Sequence, residues 1–232
     1  MLKKDLILQN PLRLIAPESE DIISEGGFGA VLARAGVGKT SLLIQIALNA
    51  LLGGKNVLHI GLDDPIKKVC LRYEEVLNRL SKQYHMDQIN EIQEAILPHR
   101  FVMTFKVEGF SVPKLKERLT DLMEQNIFSP QMIIIDGLPF DAEVRKPLTE
   151  LKAFIKDCSM HIWFTVRTHR HEKADPHGIP ASLSPVMDLF DAVIQLQPEG
   201  DEIHIRVLKG GATPSDLPTL LLDPATMLIK NK

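Results

Sequence analysis

The chain has 232 residues, of which 44% are hydrophobic and 25% are charged, and its formal net charge is −3. This composition excludes a low-complexity or disordered chain, and the slight acidic excess gives no general support for binding to nucleic acid or to an anionic membrane. The two cysteines, Cys70 and Cys158, stand far apart, which excludes a zinc ribbon or a disulfide framework and favours a reducing compartment.

The first ten residues mix basic and apolar side chains, but their apolar run is too short for a signal peptide. No segment of the chain approaches the roughly 20 apolar residues that a membrane-spanning helix needs. We therefore expect a cytoplasmic protein that has no membrane association and folds as a single domain over residues 1–232.

Strand-like and helix-like segments alternate through the first two thirds of the chain. In chain order, the predicted elements are a strand at 28–32, a helix at 39–52, a strand at 56–61, a helix after Pro65, a helical insertion at 83–97 closed by Pro98, a strand at 101–105, a helix at 112–125, a strand at 132–135, a helix at 145–157 and a strand at 162–166. This order predicts a mostly parallel sheet that is covered by helices.

The last third of the chain has a different pattern. Residues 168–183 are polar and contain Pro and Gly, so they are expected to form a long exposed loop. Residues 192–197 and 203–208 alternate apolar and polar side chains, which predicts an antiparallel hairpin, and 219–222 with 226–229 predict a second one. The fold class is therefore α/β, with a mostly parallel central sheet, flanking helices and antiparallel strands at its C-terminal edge.

A glycine-containing segment joins the first predicted strand to the first predicted helix. Residues 33–40 read Ala-Arg-Ala-Gly-Val-Gly-Lys-Thr, the pattern of a phosphate-binding loop with alanine at its usual first glycine. Gly36 and Gly38 let the backbone turn successive N–H groups inward, and the following helix adds the positive end of its dipole. Lys39 can reach the β- and γ-phosphates of a nucleoside triphosphate, and the hydroxyl of Thr40 can ligate magnesium. The expected phosphate-binding residues are Ala35, Gly36, Val37, Gly38, Lys39, Thr40 and Ser41.

Carboxylates follow two of the predicted strands. Asp136 ends the buried strand at 132–135, and Asp63 and Asp64 follow the strand at 56–61. Ligands of an open parallel sheet bind beyond the carboxyl ends of its strands, so we expect Asp136 to hold magnesium together with Thr40, and Asp63 or Asp64 to polarise an attacking water. Structural roles are the alternatives, with Asp136 capping a turn and one of the other two capping the helix after Pro65.

Basic side chains concentrate at and after the strand at 162–166. They are His161, Arg167, His169, Arg170, His171, Lys173 and His177. Arg167 stands where a strand-end residue could sense a γ-phosphate, and the loop could contact nucleic acid or an acidic partner, although the acidic balance of the chain does not favour nucleic acid. The alternative is a solvated loop. His169 and His171 could also bind a metal, but the sequence shows no clear third ligand.

Taken together, these motifs resemble the RecA-like ATPase superfamily, and within it the KaiC, RadA and DnaB-type branch. The resemblance covers roughly residues 25–230 and rests on the phosphate loop, on Gly61-Leu-Asp-Asp-Pro65, on Ile133-Ile-Ile-Asp-Gly-Leu138, and on the run from Asp188 to Leu196 followed by 203–209. It implies a RecA-like P-loop core that uses ATP and Mg²⁺ and assembles as a homo-oligomeric ring or filament, with ATP at subunit borders. It also implies that Lys209 acts on the γ-phosphate bound by the adjacent subunit, although a surface lysine in a Gly-rich turn explains Lys209 equally well.

Three positions depart from the family pattern. Alanine replaces the first loop glycine at Ala33, the acidic pair at 63–64 is Asp rather than Glu, and Gly211 stands where the family often has arginine. The sequence therefore leaves three functions open. They are an ATPase acting as a motor, clamp or switch; a regulatory module that binds nucleotide, hydrolyses it slowly or not at all and signals to a protein partner; and a small-molecule kinase whose lid is the basic loop at 168–173.

Overall fold

The computed structural model describes residues 22–85, 89–140, 143–169, 172, 175, 178–210 and 220–231. Its strands are β1 (Phe28–Ala33), β2 (Val57–Gly61), β3 (Arg100–Thr104), β4 (Met132–Asp136), β5 (His161–Arg167), β6 (Ala192–Glu199), β7 (Glu202–Lys209), β8 (Leu220–Leu222) and β9 (Ile229–Asn231). Its α-helices are α1 (Lys39–Leu52), α2 (Ile66–Gln83), α3 (Ile89–Ile96), α4 (Val112–Glu124) and α5 (Arg145–Asp157). None of the helices in these ranges is long and apolar enough to cross a bilayer.

One sheet joins all of these strands, in the order β3-β2-β4-β5-β1-β6-β7-β8-β9. The strands from β3 to β6 run parallel to one another, whereas β7, β8 and β9 pair antiparallel to their neighbours. The predicted mostly parallel α/β sheet with antiparallel strands at one edge is therefore confirmed.

Helices cover both faces of the sheet, because the parallel strands are apolar on both sides. In β1, Val31 and Ala33 face the core under α1 and α2, while Ala30 and Leu32 face the core under α4 and α5. This alternation follows from the period of two in a strand.

The parallel strands bring their carboxyl ends to one edge of the sheet. Gly61 pairs with Asp136 across β2 and β4, and Ala33 pairs with Arg167 across β1 and β5. The segments that follow β1, β2, β4 and β5 therefore meet at the same edge, where ligands bind in sheets of this kind.

Three sequence predictions need correction. The helical insertion expected at 83–97 begins at Ile89, because α2 extends to Gln83, and it ends in a 3₁₀ turn, Leu97–His99, that contains Pro98. Residues 168–183 are not uniformly exposed: Pro180 and Leu183 are buried, and Leu183 packs in the core beside α5. The last strand was expected at 226–229 but covers Ile229–Asn231, because residues 224–226 form a turn.

A buried histidine lies in the middle of β2. His59 is fully buried, and its Nδ1 lies 3.1 Å from the hydroxyl of Tyr73 on α2, while its Nε2 has no hydrogen-bond partner among the described residues. Burial lowers the pKa of His59 to about 4, and the nearby Asp136 carboxylate opposes this shift only in part. His59 is therefore neutral in the folded protein at neutral pH.

We expect acid to destabilise the fold through His59. The pKa of this histidine is 6.5 in a model peptide and about 4 in the fold. The contribution of the neutral, buried imidazole to the free energy of unfolding is therefore complete above pH 6.5 and is lost as the pH falls toward 4. The loss amounts to about 3 kcal/mol at the acid end. Urea unfolding of the wild type and of His59→Gln across this pH range measures it, and an equal pH dependence in the two proteins contradicts the expectation.

Candidate functional site

The loop between β1 and α1 has the backbone geometry that its glycines permit. Gly36 and Gly38 have φ angles of +79° and +107°, in the left-handed region that side chains other than glycine rarely adopt. Ala33, which replaces the usual first glycine, is the last residue of β1, is buried and has no positive φ. The alanine at this position is therefore compatible with the loop.

Lys39 is the first residue of α1, and its ammonium group points back over the loop. Its Nζ donates hydrogen bonds to the carbonyl oxygens of Ala33 and Arg34, at 2.9 and 3.0 Å. Burial lowers the pKa of Lys39; the Asp136 carboxylate opposes this shift and Arg167 adds to it. An anion bound beside Lys39 would stabilise the charged form of the amine.

Asp136 lies at the centre of the site, at the carboxyl end of β4. Its Oδ2 accepts a hydrogen bond from the hydroxyl of Thr40 at 2.8 Å, and its Oδ1 accepts one from the hydroxyl of Thr165 at 2.7 Å. Thr165 lies in β5, is 3% exposed, and accepts a hydrogen bond from the backbone N–H of Gly137 at 3.0 Å. The two threonines thus fix both oxygens of the carboxylate.

The two carboxylates after β2 have different surroundings. Asp64 forms ion pairs with two cations of α2: Lys68, whose Nζ lies 2.7 Å from Oδ1, and Arg72, whose Nη1 contacts Oδ2. Asp63 is exposed, makes no ion pair or side-chain hydrogen bond with any described residue, and has its carboxylate against Gly137. Neither aspartate caps α2, since the N-cap position is Pro65 and no side-chain cap hydrogen bond is present.

A cavity of about 470 Å³ opens between these side chains. Its charged lining residues are Lys39, Arg72, Arg167, Asp63, Asp64 and Asp136. The predicted loop residues Ala35, Gly36 and Thr40 also line it. The structure therefore brings the loop, both acidic motifs and Arg167 together around one space.

Three of the predicted phosphate-binding residues do not line the cavity and instead face the protein interior or the last hairpin. Val37 packs against the core under α1, and the carbonyl of Ser41 accepts a hydrogen bond from Gln45. Gly38 lies so close to the last hairpin that a Cβ atom there would be 2.6 Å from Leu222 Cδ2 and 3.0 Å from Met227 Sδ. A glycine at position 38 is thus required by packing as well as by its φ angle.

Gln45 ties α1 to the same hairpin. Its side chain is 5% exposed; Nε2 donates to the carbonyl of Met227 at 2.9 Å, and Oε1 accepts from the backbone N–H of Ile229 at 3.2 Å. From α2, Arg79 Nη1 donates to the carbonyl of Thr226 at 3.0 Å. The turn between β8 and β9 is therefore attached to both helices that lie next to the loop.

Lys209 lies apart from this cavity. Lys209 pairs with Val193, and Val193 pairs in turn with Ala30, which lies three residues before the end of β1. Since a strand rises about 3.3 Å per residue, Lys209 lies about 10 Å further down the sheet than the loop. Its Nζ donates a hydrogen bond to the carbonyl of Met187 at 3.1 Å. Lys209 therefore does not contribute to the cavity of its own chain.

The basic cluster is only partly brought together. Arg167 lines the cavity, but His161 is at the opposite end of β5, paired with Met132. Arg170, His171, Lys173, His177 and Gly211 lie outside the described residues, as does half of the predicted His169–His171 pair. Among the residues that are described, no group of three or more His, Cys, Asp and Glu side chains could hold a metal ion.

Sequence reasoning missed two residues of the site, Arg72 and Thr165. Arg72 follows Asp64 by eight positions, and Asp64 precedes the helix, so the i,i+4 rule for helical ion pairs gives no signal for the contact between them. Thr165 is a hydroxyl residue within the otherwise apolar run of β5, and a buried hydroxyl requires a hydrogen-bond partner. The sequence therefore carries a signal for Thr165 but none for Arg72.

Comparison with known proteins does not assign the chain to a family. The sequence matches no protein-family model and no curated protein.

We expect Thr165→Val to destabilise the fold by about 1–3 kcal/mol, because it leaves one oxygen of the partly buried Asp136 carboxylate and the Gly137 N–H without partners. Thr165→Ser, which keeps the hydroxyl, is the matched control and should lose much less. Urea unfolding of the three proteins measures the difference, and a valine variant as stable as the serine variant contradicts this role.

Proposed function

We propose that this chain is a magnesium-dependent ATP-binding protein and an ATPase of the RecA/KaiC type, built on a RecA-like P-loop core and acting in the cytoplasm as a motor, clamp or switch. The main support is the 2.8 Å hydrogen bond from Thr40 to Asp136, which joins two predicted motif residues 96 positions apart. Together with Lys39 at the same cavity, this pair has the arrangement expected of a phosphate loop facing an acidic strand end.

The donor set at this point fits magnesium. Thr40 and Asp136 offer a hydroxyl and a carboxylate oxygen, the hard ligands that Mg²⁺ prefers, and Mg²⁺ is commonly held by one or two carboxylates together with substrate phosphates. Bound there, the ion would neutralise charge on the β- and γ-phosphates.

The protein's own groups account for the remaining parts of the reaction. The loop backbone and Lys39 hold the phosphates, and Asp63, which has no ion-pair partner in the described chain, orients the attacking water. The water oxygen bonds to the γ-phosphorus as the bond from that phosphorus to the bridging oxygen of ADP breaks, and a water proton passes to the Asp63 carboxylate. The products are ADP and inorganic phosphate.

One observation favours the second candidate, a regulatory module that binds nucleotide and hydrolyses it slowly or not at all. The resemblance implies that Lys209 acts on the γ-phosphate bound by a neighbouring subunit. In the structure, the ammonium group of Lys209 donates a hydrogen bond to the Met187 carbonyl of its own chain. A trans-acting cation would have to leave that carbonyl. In this case, signalling would depend on a protein partner that binds only the ATP form.

Lys39→Ala should abolish magnesium-dependent ATP hydrolysis and weaken ATP binding, because it removes a charge-assisted contact to the phosphates. Phosphate release and nucleotide titration measure the two effects, with GTP as the competitor that tests base preference. Equal turnover in the variant and the wild type contradicts the ATPase. Lys39-dependent binding without turnover supports the regulatory module.

Dilution tests the expected homo-oligomer in the same assay. Specific activity that rises with protein concentration supports sites completed at subunit borders, with Lys209 as the first residue to replace. Constant specific activity indicates a site that is complete within one chain.

Asp63→Asn should lower the turnover number by about 10²-fold or more while ATP binding persists, since it removes the base and keeps the shape of the side chain. Asp64→Asn is the matched control: it loses two ion pairs but leaves Asp63 in place, so it should retain more activity. Single-turnover hydrolysis of bound ATP separates chemistry from binding. The reverse order of the two variants would assign the water-activating role to Asp64.

A further inference from the structure

Arg72 brings a third cation to the cavity from α2. Its Nη1 contacts Asp64 Oδ2 and lies 4.0 Å from Asp136 Oδ2, the same oxygen that accepts the hydroxyl of Thr40. Its side chain is 31% exposed and lines the cavity together with Lys39. Arg72 therefore lies beside the point where the loop and the acidic strand end meet.

The guanidinium of Arg72 has N–H donors that are not used in its contact with Asp64. Arginine carries five N–H groups in a planar fork that matches phosphate oxygens in pairs. The contact with Asp64 is made by Nη1, and neither Nε nor Nη2 has a hydrogen-bond partner among the described residues. The group can thus bind a phosphate through atoms that the described part of the chain leaves unpaired.

Asp64 does not depend on Arg72 alone for its charge balance. Lys68 lies 2.7 Å from the other carboxylate oxygen, on the exposed side of the helix. If Arg72 turned toward a phosphate, the Asp64 carboxylate would keep a cation. The Asp64–Arg72 contact is also open to solvent on the arginine side, where the guanidinium is 31% exposed, and solvent weakens such ion pairs. Little free energy opposes the movement.

We propose that Arg72 binds the terminal phosphate of ATP in the cavity of its own chain and that Asp64 holds the guanidinium ready beside it. This inference rests on the proposed nucleotide-binding function and adds a residue to the site. Arg72 would then supply from within the chain a positive charge that Lys209, bound to Met187, does not deliver to this cavity. Its consequence is discrimination: ATP gains the Arg72 contact and ADP does not.

The test compares Arg72→Ala with Lys68→Ala, which removes the other cation of Asp64 and does not line the cavity. Dissociation constants for Mg-ATP and Mg-ADP are measured by calorimetry on each full-length protein. We expect Arg72→Ala to weaken ATP binding at least about tenfold, the effect of a lost charge-assisted hydrogen bond, with ADP binding nearly unchanged. Lys68→Ala should leave the ratio of the two constants at its wild-type value.

Two further variants guard against a folding defect. Arg72→Gln keeps length and hydrogen bonding without the charge, and Arg72→Lys keeps the charge without the fork, so the second should recover part of the ATP preference and the first should not. Thermal unfolding midpoints confirm that each protein is folded.

Equal weakening of ATP and ADP in Arg72→Ala, or the same loss of ATP preference in Lys68→Ala, would overturn the role of Arg72 and make it a structural ion-pair partner. Neither result touches the proposed function, which is tested by the dependence of nucleotide binding on Lys39. If the wild type binds neither nucleotide, both proposals fail together.

Discussion

The Asp136 carboxylate organises the candidate site. Each of its oxygens accepts a hydrogen bond from a threonine, one at the start of α1 and one within β5, so a single side chain holds together three segments that are distant in sequence. Hydrogen bonds to a charged acceptor are stronger than neutral ones, especially when the donor is buried, as Thr165 is. The position of Lys39 relative to the strand ends, and the cavity between them, depends on this arrangement.

Much of this architecture could be predicted because it is encoded locally. The apolar strand Phe28–Ala33, the glycines after it and the helix from Lys39 form one continuous pattern, and the bounds of α5 were predicted to the residue. The errors fall where tertiary contacts override local pattern. The last strand begins at Ile229 rather than at 226, because residue 226 belongs to a turn and Met227 has a φ of +56° with its carbonyl bound to Gln45 of a distant helix. Leu183, in a polar stretch, is buried because the chain folds it into the core cluster that contains residues of α4 and α5.

Asp63 and Asp64 show a second limit of sequence reasoning. The two residues have the same chemistry and adjacent positions, so no pattern distinguishes them. The chain direction after β2 and the turn into α2 point one toward Lys68 and Arg72 and leave the other against Gly137. Which carboxylate pairs with a cation therefore depends on the direction in which α2 presents its basic side chains. That direction is fixed by the fold and cannot be derived from the spacing of the charges alone.

The close contact between Gly38 and the last hairpin has a consequence for biosynthesis. The loop between β1 and α1 leaves the ribosome early, but Gln45 finds its partners Met227 and Ile229 only 182 and 184 residues later in the chain. Until those residues have been synthesised, the buried side of the loop lacks its packing partner and the buried amide of Gln45 lacks two of its hydrogen bonds. A nascent chain thus carries an incompletely supported loop for most of its translation, until the hairpin has formed.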